Sequence, residues 1–319
     1  MTSLEERQML RDTVAALVGR HASSAAVRAA MDSPRGYDES LWSMLCEQVG
    51  VAALVVPEEL GGAGGELADA AAVLEELGRA LVPTPLLGTT LAELALLAAD
   101  QPDADTLEQL AAGAAIGAVV FDRDYVVNGD IADVVVAIDE TGAGARLVRW
   151  KDVTAETVTT VDPTRRLARV AAGSTEPIGT DPGLADTVAI LLAAEQVGAA
   201  ARCLELTVAY TKERVQFGRP IGSFQALKHR MADLYVAVQS ARAVVGDAIA
   251  DPTPTAAVLA RLAASEAFTT VAGEAIQLHG GIAITWEHDI QLYFKRAHGS
   301  AQLFGPPSDQ LRKLESEVF

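Results

Sequence analysis

Basic residues are in deficit: 25 Lys and Arg stand against 43 Asp and Glu, a formal net charge of −18. Nucleic-acid binding rests on neutralising phosphates with Lys and Arg, so that class of partner is excluded, and an anionic membrane surface is disfavoured for the same reason. Aromatics are only 5% of the residues while hydrophobic residues reach 50%, which suits Ala/Leu/Val helix packing better than an aromatic recognition surface. The two cysteines, Cys46 and Cys203, lie within apolar helical patterns and have no partner at ligand spacing. They read as buried free thiols in a reducing compartment, not as a disulfide framework. The five histidines (His21, His229, His279, His288 and His298) show no metal spacing, and His229 sits between Lys228 and Arg230, which disfavours a cation there. No Ser-His-Asp or Cys-His arrangement can be argued. Residues 1–7 lack a basic stretch leading into an apolar one, so no signal peptide is expected. The longest apolar run, residues 86–99, is interrupted by Thr89, Thr90 and Glu93 and is shorter than the roughly 18 residues of a spanning helix. A soluble, cytoplasmic protein is the expectation.

Residues 4–20 and 39–56 carry apolar residues at helical spacing with acidic first turns, the second stopping at Pro57. The Gly61-Gly-Ala-Gly-Gly65 loop reads as an interhelical turn, because its one G-x-G is followed by Leu67 where a dinucleotide fingerprint needs Gly or Ala. Helices follow over 66–81, ended by Pro83 and Pro85, and over 90–99. After Gly113 short β-branched runs (116–121, 125–127, 133–138, 146–150, 157–161) alternate with Gly, Asn and Asp turns. From Asp181 the pattern is helical again. Asp181-Pro182 reads as an N-cap followed by proline at the first helical position, opening a helix that runs to about 215. Further helices are expected over 223–250, 255–279 and from about 287 to Gly305. The chain is mainly α with a small β region: a helical domain over 1–112, a β domain over 113–180 and a four-helix bundle over 181–319.

Residues 210–229 are the informative segment. Arg214 closes a long helix, a Gly/Pro turn follows, and Gln225 opens the next helix. Such a junction offers a guanidinium and fresh helix N–H groups to a diphosphate; the plainer alternative is a helix-terminating turn with a surface arginine. Arg214-x-x-Phe217-Gly218, then Phe224-Gln225, resembles the acyl-CoA dehydrogenase family's motif at the first bundle turn. Gln277-Leu-His-Gly280-Gly281 resembles its second motif, at the end of the third bundle helix. Pro57-Glu-Glu-Leu-Gly-Gly62 and Leu74-Glu-Glu-Leu-Gly78 are similar to the family's N-terminal helical domain, so the resemblance covers nearly the whole chain. It implies the family's helix–β–helix fold and an FAD lying across a subunit interface. Arg214 would then hold the FAD diphosphate, with Phe217 and Gln225 near the adenosine. Gln277 and the backbone of Gly280 and Gly281 would complete a cradle offered to the neighbouring subunit's FAD.

The family removes an α-proton from an acyl-CoA thioester with a glutamate while hydride leaves the β-carbon for the flavin, which requires a polarised thioester and a well-placed carboxylate. By resemblance the usual glutamate position here is Phe304, in Leu303-Phe304-Gly305-Pro306, and the alternative family position is Val188. Neither accepts a proton, so no catalytic residue is assigned. Asp186 lies about 200° around the helix from Val188, and Glu195 shares its stripe two turns away, roughly 10 Å along the axis. Each is weighed as a relocated base against a buried ion pair or an interface contact. Arg165, Arg166 and Arg169 read as a solvated patch, with a contact to an anionic ligand tail as the alternative. The family's full Thr-Glu-Pro-x-x-Gly-Ser-Asp segment and the Trp-containing strand that follows it, which cradle the flavin ring and the thioester, are not found between Gly113 and Gly179; residues 127–133 look like a shortened version of that domain. What a subunit does for its own flavin is gone, and what it does for its neighbour's is kept. The resemblance therefore points to the smaller, non-catalytic subunit of a heterotetrameric dehydrogenase of the steroid side-chain type. It implies a catalytic paralogue, an acyl-CoA substrate and an electron-transfer flavoprotein or similar acceptor. A self-sufficient enzyme with a relocated base and a scaffold without flavin are the competing expectations.

Overall fold

The computed structural model describes residues 4–141 and 144–318. The N-terminal third is helical: α1 (Leu4–His21), α2 (Ser24–Met31), α3 (Glu39–Met44), α4 (Leu67–Arg79), α5 (Leu86–Leu97) and α6 (Ala104–Ala111). Side chains of Ser23, Asp38 and Asp103 accept the first N–H groups of α2, α3 and α6. The helix expected over 39–56 is shorter. After α3 one π-helical turn (Leu45–Val49) leads into Gly50, whose φ of 74° ends it. Val51, Ala52, Leu54 and Val56 are buried from a turn-rich backbone, so their spacing imitated a helix without one being present.

The β region holds β1 (Gly117–Val120), β2 (Val126–Val127), β3 (Val134–Thr141), β4 (Gly144–Lys151), β5 (Thr154–Val158), β6 (Leu167–Ala171) and β7 (Ser174–Thr180). One sheet runs β1-β3-β4-β7 with β1 and β3 parallel; the other runs β2-β6-β5 and is antiparallel. Alternation along β3 divides its side chains between two cores. Val134 and Val136 join the helical core, while Val135 and Ala137 pack with Trp150, Val126, Ala168 and Val170 between the sheets. Strands β6 and β7 were not expected. β7 (STEPIGT) is largely exposed and has no apolar alternation to read.

The C-terminal part comprises α7 (Leu184–Glu213), a ribbon of β8 (Val215–Gln216) and β9 (Arg219–Pro220), then α8 (Gln225–Ala250), α9 (Pro254–His279), α10 (Ile290–Gln302) and α11 (Pro307–Val318). The start of α7 corrects the expected cap. Asp181 does accept from the Gly183 and Leu184 N–H groups, but Gly183, at φ 97°, is the N-cap and Pro182 stays outside the helix. Helix α11 was also missed: Gly305-Pro306-Pro307 ends one helix and starts another, proline being tolerated at a first turn that needs no N–H.

Helix α7 is the axle of the molecule. It is long and apolar enough to cross a membrane by composition, yet most of that apolar stretch is buried against neighbouring helices. Helix α4 crosses it backbone to backbone. A Cβ on Gly198 would lie 2.0 Å from the Glu75 carbonyl oxygen, and one on Gly78 would lie 2.3 Å from that of Glu195, so the Gly that closes the Leu74–Gly78 motif is there for close approach.

Within α5 one residue defies the apolar pattern. Glu93 is fully buried, neither carboxyl oxygen has a hydrogen-bond partner, and burial pushes its pKa well above the usual carboxylate range. Burial likewise pushes the Cys46 thiol up to about 12, with a nearby contribution from Glu93. A carboxyl held neutral in the fold loses stability as pH rises from its unfolded value of about 4.3. Replacing Glu93 with Leu is therefore expected to raise stability at neutral pH by about 1–3 kcal/mol. It should also flatten the loss seen on raising the pH above about 4.3. Urea titrations of both proteins at acid and neutral pH check this; equal stability at neutral pH would mean the carboxyl is satisfied in solution.

Candidate functional site

Short connections make α8 antiparallel to α7 and α9. The C-termini of α7 and α9 and the N-terminus of α8 therefore share one end of the bundle, where Arg230 of α8 pairs with Glu274 of α9 at 2.7 Å and Tyr210 of α7 stacks on His279 of α9. Arg214 is the C-cap of α7, in extended backbone, exposed, with no ion-pair partner among the described residues. Phe217, at the ribbon's tip with φ 54°, is 92% exposed and meets Phe224 edge-on at 6.1 Å. The first turn of α8 has no side-chain cap, and Gln225 is exposed there. Such a terminus presents free N–H groups and the positive end of the helix dipole. At the end of α9, Gln277, Gly280 and Gly281 are all exposed, and nothing lies within 4 Å of a Cβ built on either glycine. Gly280 adopts φ 67°, ψ −148°, a conformation open essentially to glycine alone. The residues singled out in the sequence thus gather at one bundle end, as an open, cationic, N–H-rich surface suited to a phosphorylated ligand.

The interior is different. Glu195 of α7 is buried, and its Oε1 accepts from Arg296 of α10 at 2.6 Å and from Arg165. Arg296 also pairs with Asp162 at 2.8 Å and donates to the Thr164 hydroxyl and carbonyl at 2.6 and 2.9 Å. Burial alone would raise the Glu195 carboxyl, but Arg165 and Arg296 outweigh it and hold it below the usual carboxylate range. A carboxylate so engaged is a poor proton acceptor, and the ion-pair alternative prevails over the relocated base. The arginine cluster is corrected accordingly. The Arg165 side chain is 8% exposed inside this network, Arg166 pairs with Asp130, and only Arg169 is solvated, opposite Asp124. Asp186 is half-buried in the first turn of α7, and Val188 is buried in the core.

Phe304 stands where α10 meets α11. Its φ is 60°, and its ring meets Phe121, just after β1, edge-on at 5.1 Å. The turn is held by Arg261, a buried guanidinium with no ion-pair partner among the described residues, which donates to the carbonyls of Leu303 (2.9 Å) and Ser300 and to Gln196 (2.7 Å). Burial pulls the Arg261 pKa down to about 10. Phe304 and Phe121 border a cavity of about 760 Å³ between the sheet region and α10, with Tyr125, Val161 and Leu167 on its other walls. Among the described residues of that lining, the acids are Asp122 and Asp309.

Residues 185–314 match the model of the acyl-CoA dehydrogenase C-terminal domain, and residues 4–114 match that of the N-terminal domain. The chain belongs to the acyl-CoA dehydrogenase family. Acyl-CoA dehydrogenase IpdE2 of Mycobacterium tuberculosis is 72% identical over 319 residues, covering 100% of this chain and 99% of that protein. Its namesake in Mycolicibacterium smegmatis is 69% identical over 315 residues, 99% of each. Among solved structures, a variant of the Tcur3481-Tcur3483 steroid ACAD superposes with a TM-score of 0.88 at 27% identity, over 98% of this chain and 97% of that one. The ChsE4-ChsE5 complex from Mycobacterium tuberculosis contains a chain at 0.88 and 25%, over 99% and 98%. Acyl-CoA dehydrogenases are FAD-dependent oxidoreductases acting on CH–CH bonds.

Sequence reading missed Arg261, Arg296, Tyr210 and His279 as parts of the site. Arg261 falls in an otherwise apolar helical stretch, a signal that was available, whereas Arg296 stands beside Lys295 and His298 and looks like surface. The Tyr210–His279 contact spans two helices and leaves no local trace.

Proposed function

We propose that this chain is the non-catalytic subunit of a heteromeric FAD-dependent acyl-CoA dehydrogenase, lending half of the FAD site to a catalytic paralogue. The carrying observation is an asymmetry. Arg214, exposed beside the uncapped α8 terminus and without an ion-pair partner among the described residues, is free to meet a diphosphate, while Phe304, at the position that the resemblance gives to the glutamate, offers only an aromatic ring packed on Phe121. Decay without selection has no reason to spare one half-site and erase the other. In this reading Arg214 holds the diphosphate, Phe217 and Gln225 border the adenosine, and Gln277, Gly280 and Gly281 close the cradle. Bound FAD would supply a hydride acceptor. The chain's own residues bind and orient it, and the proton is removed by the partner. The assembly is a heterotetramer in the cytoplasm, passing electrons to an electron-transfer flavoprotein or similar acceptor. The name of the similar acyl-CoA dehydrogenase IpdE2 supports an acyl-CoA ester as substrate, and the likeness to the steroid ACAD supports one of steroid type.

The test is a flavin absorbance spectrum and native mass, first of the chain alone and then after co-expression with a candidate catalytic paralogue. Colourless protein alone and a yellow heteromer together are expected. A yellow homo-oligomer with dehydrogenase activity would replace this reading by a self-sufficient enzyme.

A further inference from the structure

The two turns assigned to FAD belong to different helices, and a single stacked pair joins them. Tyr210, one turn before Arg214 on α7, lies over the His279 ring with centroids 4.2 Å apart and 24° between planes. Its hydroxyl donates to the His279 carbonyl at 3.3 Å. That carbonyl belongs to the peptide leading into Gly280, and a peptide plane is rigid, so fixing it fixes where the Gly280–Gly281 backbone sets out. His279 is itself buried, and its Nδ1 donates to the Ala275 carbonyl at 2.8 Å, which assigns the proton to Nδ1 in the neutral ring. His288 closes the group from the far side, edge-on to His279 at 5.0 Å, its own Nδ1 accepting from the Ile290 N–H at 3.2 Å.

We infer that Tyr210 and His279 are positioning residues for the FAD half-site, coupling the Arg214 turn to the Gly280–Gly281 turn and making FAD retention sensitive to protons. The inference rests on the function proposed above and adds a regulatory property to the same site.

The groups facing the His279 ring are Tyr210 from α7, the Ala275 carbonyl from its own helix and His288 from the segment before α10. Asp289 is taken up by Ser24 and Arg28, at 2.5 and 3.0 Å, and Lys295 lies over Trp286. Burial holds the His279 imidazole below the usual histidine range; the Ala275 carbonyl opposes this and His288 adds to it. The sign follows. A base with a depressed pKa in the folded site favours that site when neutral. Its contribution is therefore complete above the ordinary histidine value of about 6.5 and declines as pH falls below it. Protonating His279 places a buried charge against His288 and demands rehydration, which pulls the ring off Tyr210 and loosens both turns at once.

The experiment uses the complex of this chain with its catalytic paralogue, stripped of flavin and reconstituted with FAD while flavin fluorescence is followed between about pH 5.5 and 8. Wild-type complex is expected to lose about threefold or more in FAD affinity across that span. His279→Phe keeps an aromatic ring on Tyr210 without a titrating group. It should weaken FAD less than His279→Ala does at neutral pH and lose most of the pH dependence. Tyr210→Ala and His279→Ala should weaken FAD by about tenfold at every pH, and Tyr210→Phe should restore most of the Tyr210→Ala loss. Arg214→Ala serves as the reference. If it strips FAD while His279→Phe keeps the wild-type pH slope, or while His279→Ala binds as wild type, the coupling is wrong and the function stands. If Arg214→Ala binds FAD normally, the half-site assignment falls and the inference with it.

Discussion

Complex carrying Arg214→Ala is expected to purify assembled but colourless, with FAD affinity reduced by roughly 100-fold. A guanidinium facing a diphosphate makes paired charge-assisted hydrogen bonds, each worth about 1.5–3 kcal/mol. Lys212 is on the preceding turn of α7, and Arg219 is engaged over the Phe224 ring at 3.9 Å. Arg214→Lys keeps the charge but loses the planar fork, so a smaller loss, about tenfold, is expected. Because Arg214 is exposed and supports no other contact among the described residues, stability and assembly should not change. The ratio of flavin to protein absorbance after desalting, together with FAD reconstitution, measures the effect. Normal flavin content in an intact complex would remove Arg214 from the site.

Arg296→Met is expected to destabilise the fold by about 3–5 kcal/mol, the range for breaking a buried ion pair from one side. Arg296 joins three regions: it holds Asp162 and Thr164 of the segment before β6 and Glu195 of α7 from its own place on α10. Without it Asp162 is left buried without its arginine, and Glu195 keeps only Arg165. Removing the charge at Glu195 as well should recover part of the loss. A variant with both Arg296→Met and Glu195→Leu is therefore predicted to be more stable than the sum of the single changes. The pH dependence has a definite sign. The Glu195 carboxyl is held below its ordinary range in the fold, so its contribution is present above about pH 4.3 and is lost as pH falls through the lowered folded value. Glu195→Gln should be less stable than wild type at neutral pH and closer to it in acid. Urea denaturation of the set at two pH values measures this; a loss below about 1 kcal/mol for Arg296→Met would mean the network is solvated.

Much of the fold was legible. The 3.6-residue period found α1, α4 and the long bundle helices, and β-branched runs found β1 to β4, while the run at 157–161 met only the end of β5 (Thr154–Val158). Periodicity failed where burial did not coincide with regular backbone. Residues 51–56 are buried in turns, β7 is a strand with little buried face, and α11 hides behind two prolines. Arg165 shows the complementary failure. Three arginines within five residues look like surface, and only the arrival of Glu195 from α7 makes the first of them interior.

Local order, including that of the motifs proposed to face the cofactor, was set by the sequence alone. Arg214, Phe217 and Gln225 are close in the chain, Gln277 and Gly280 likewise, and a helix end with its following turn is specified by a few neighbouring residues. The missing carboxylate at Phe304 is equally a matter of one residue's identity. Tertiary structure decided what each charge is used for. Glu195 is an ion-pair member because Arg165 and Arg296 reach it from distant segments, and Tyr210 meets His279 because α7 and α9 end at the same level of the bundle. Electrostatic role depends on neighbours in space and on desolvation, and neither is written in the neighbours along the chain.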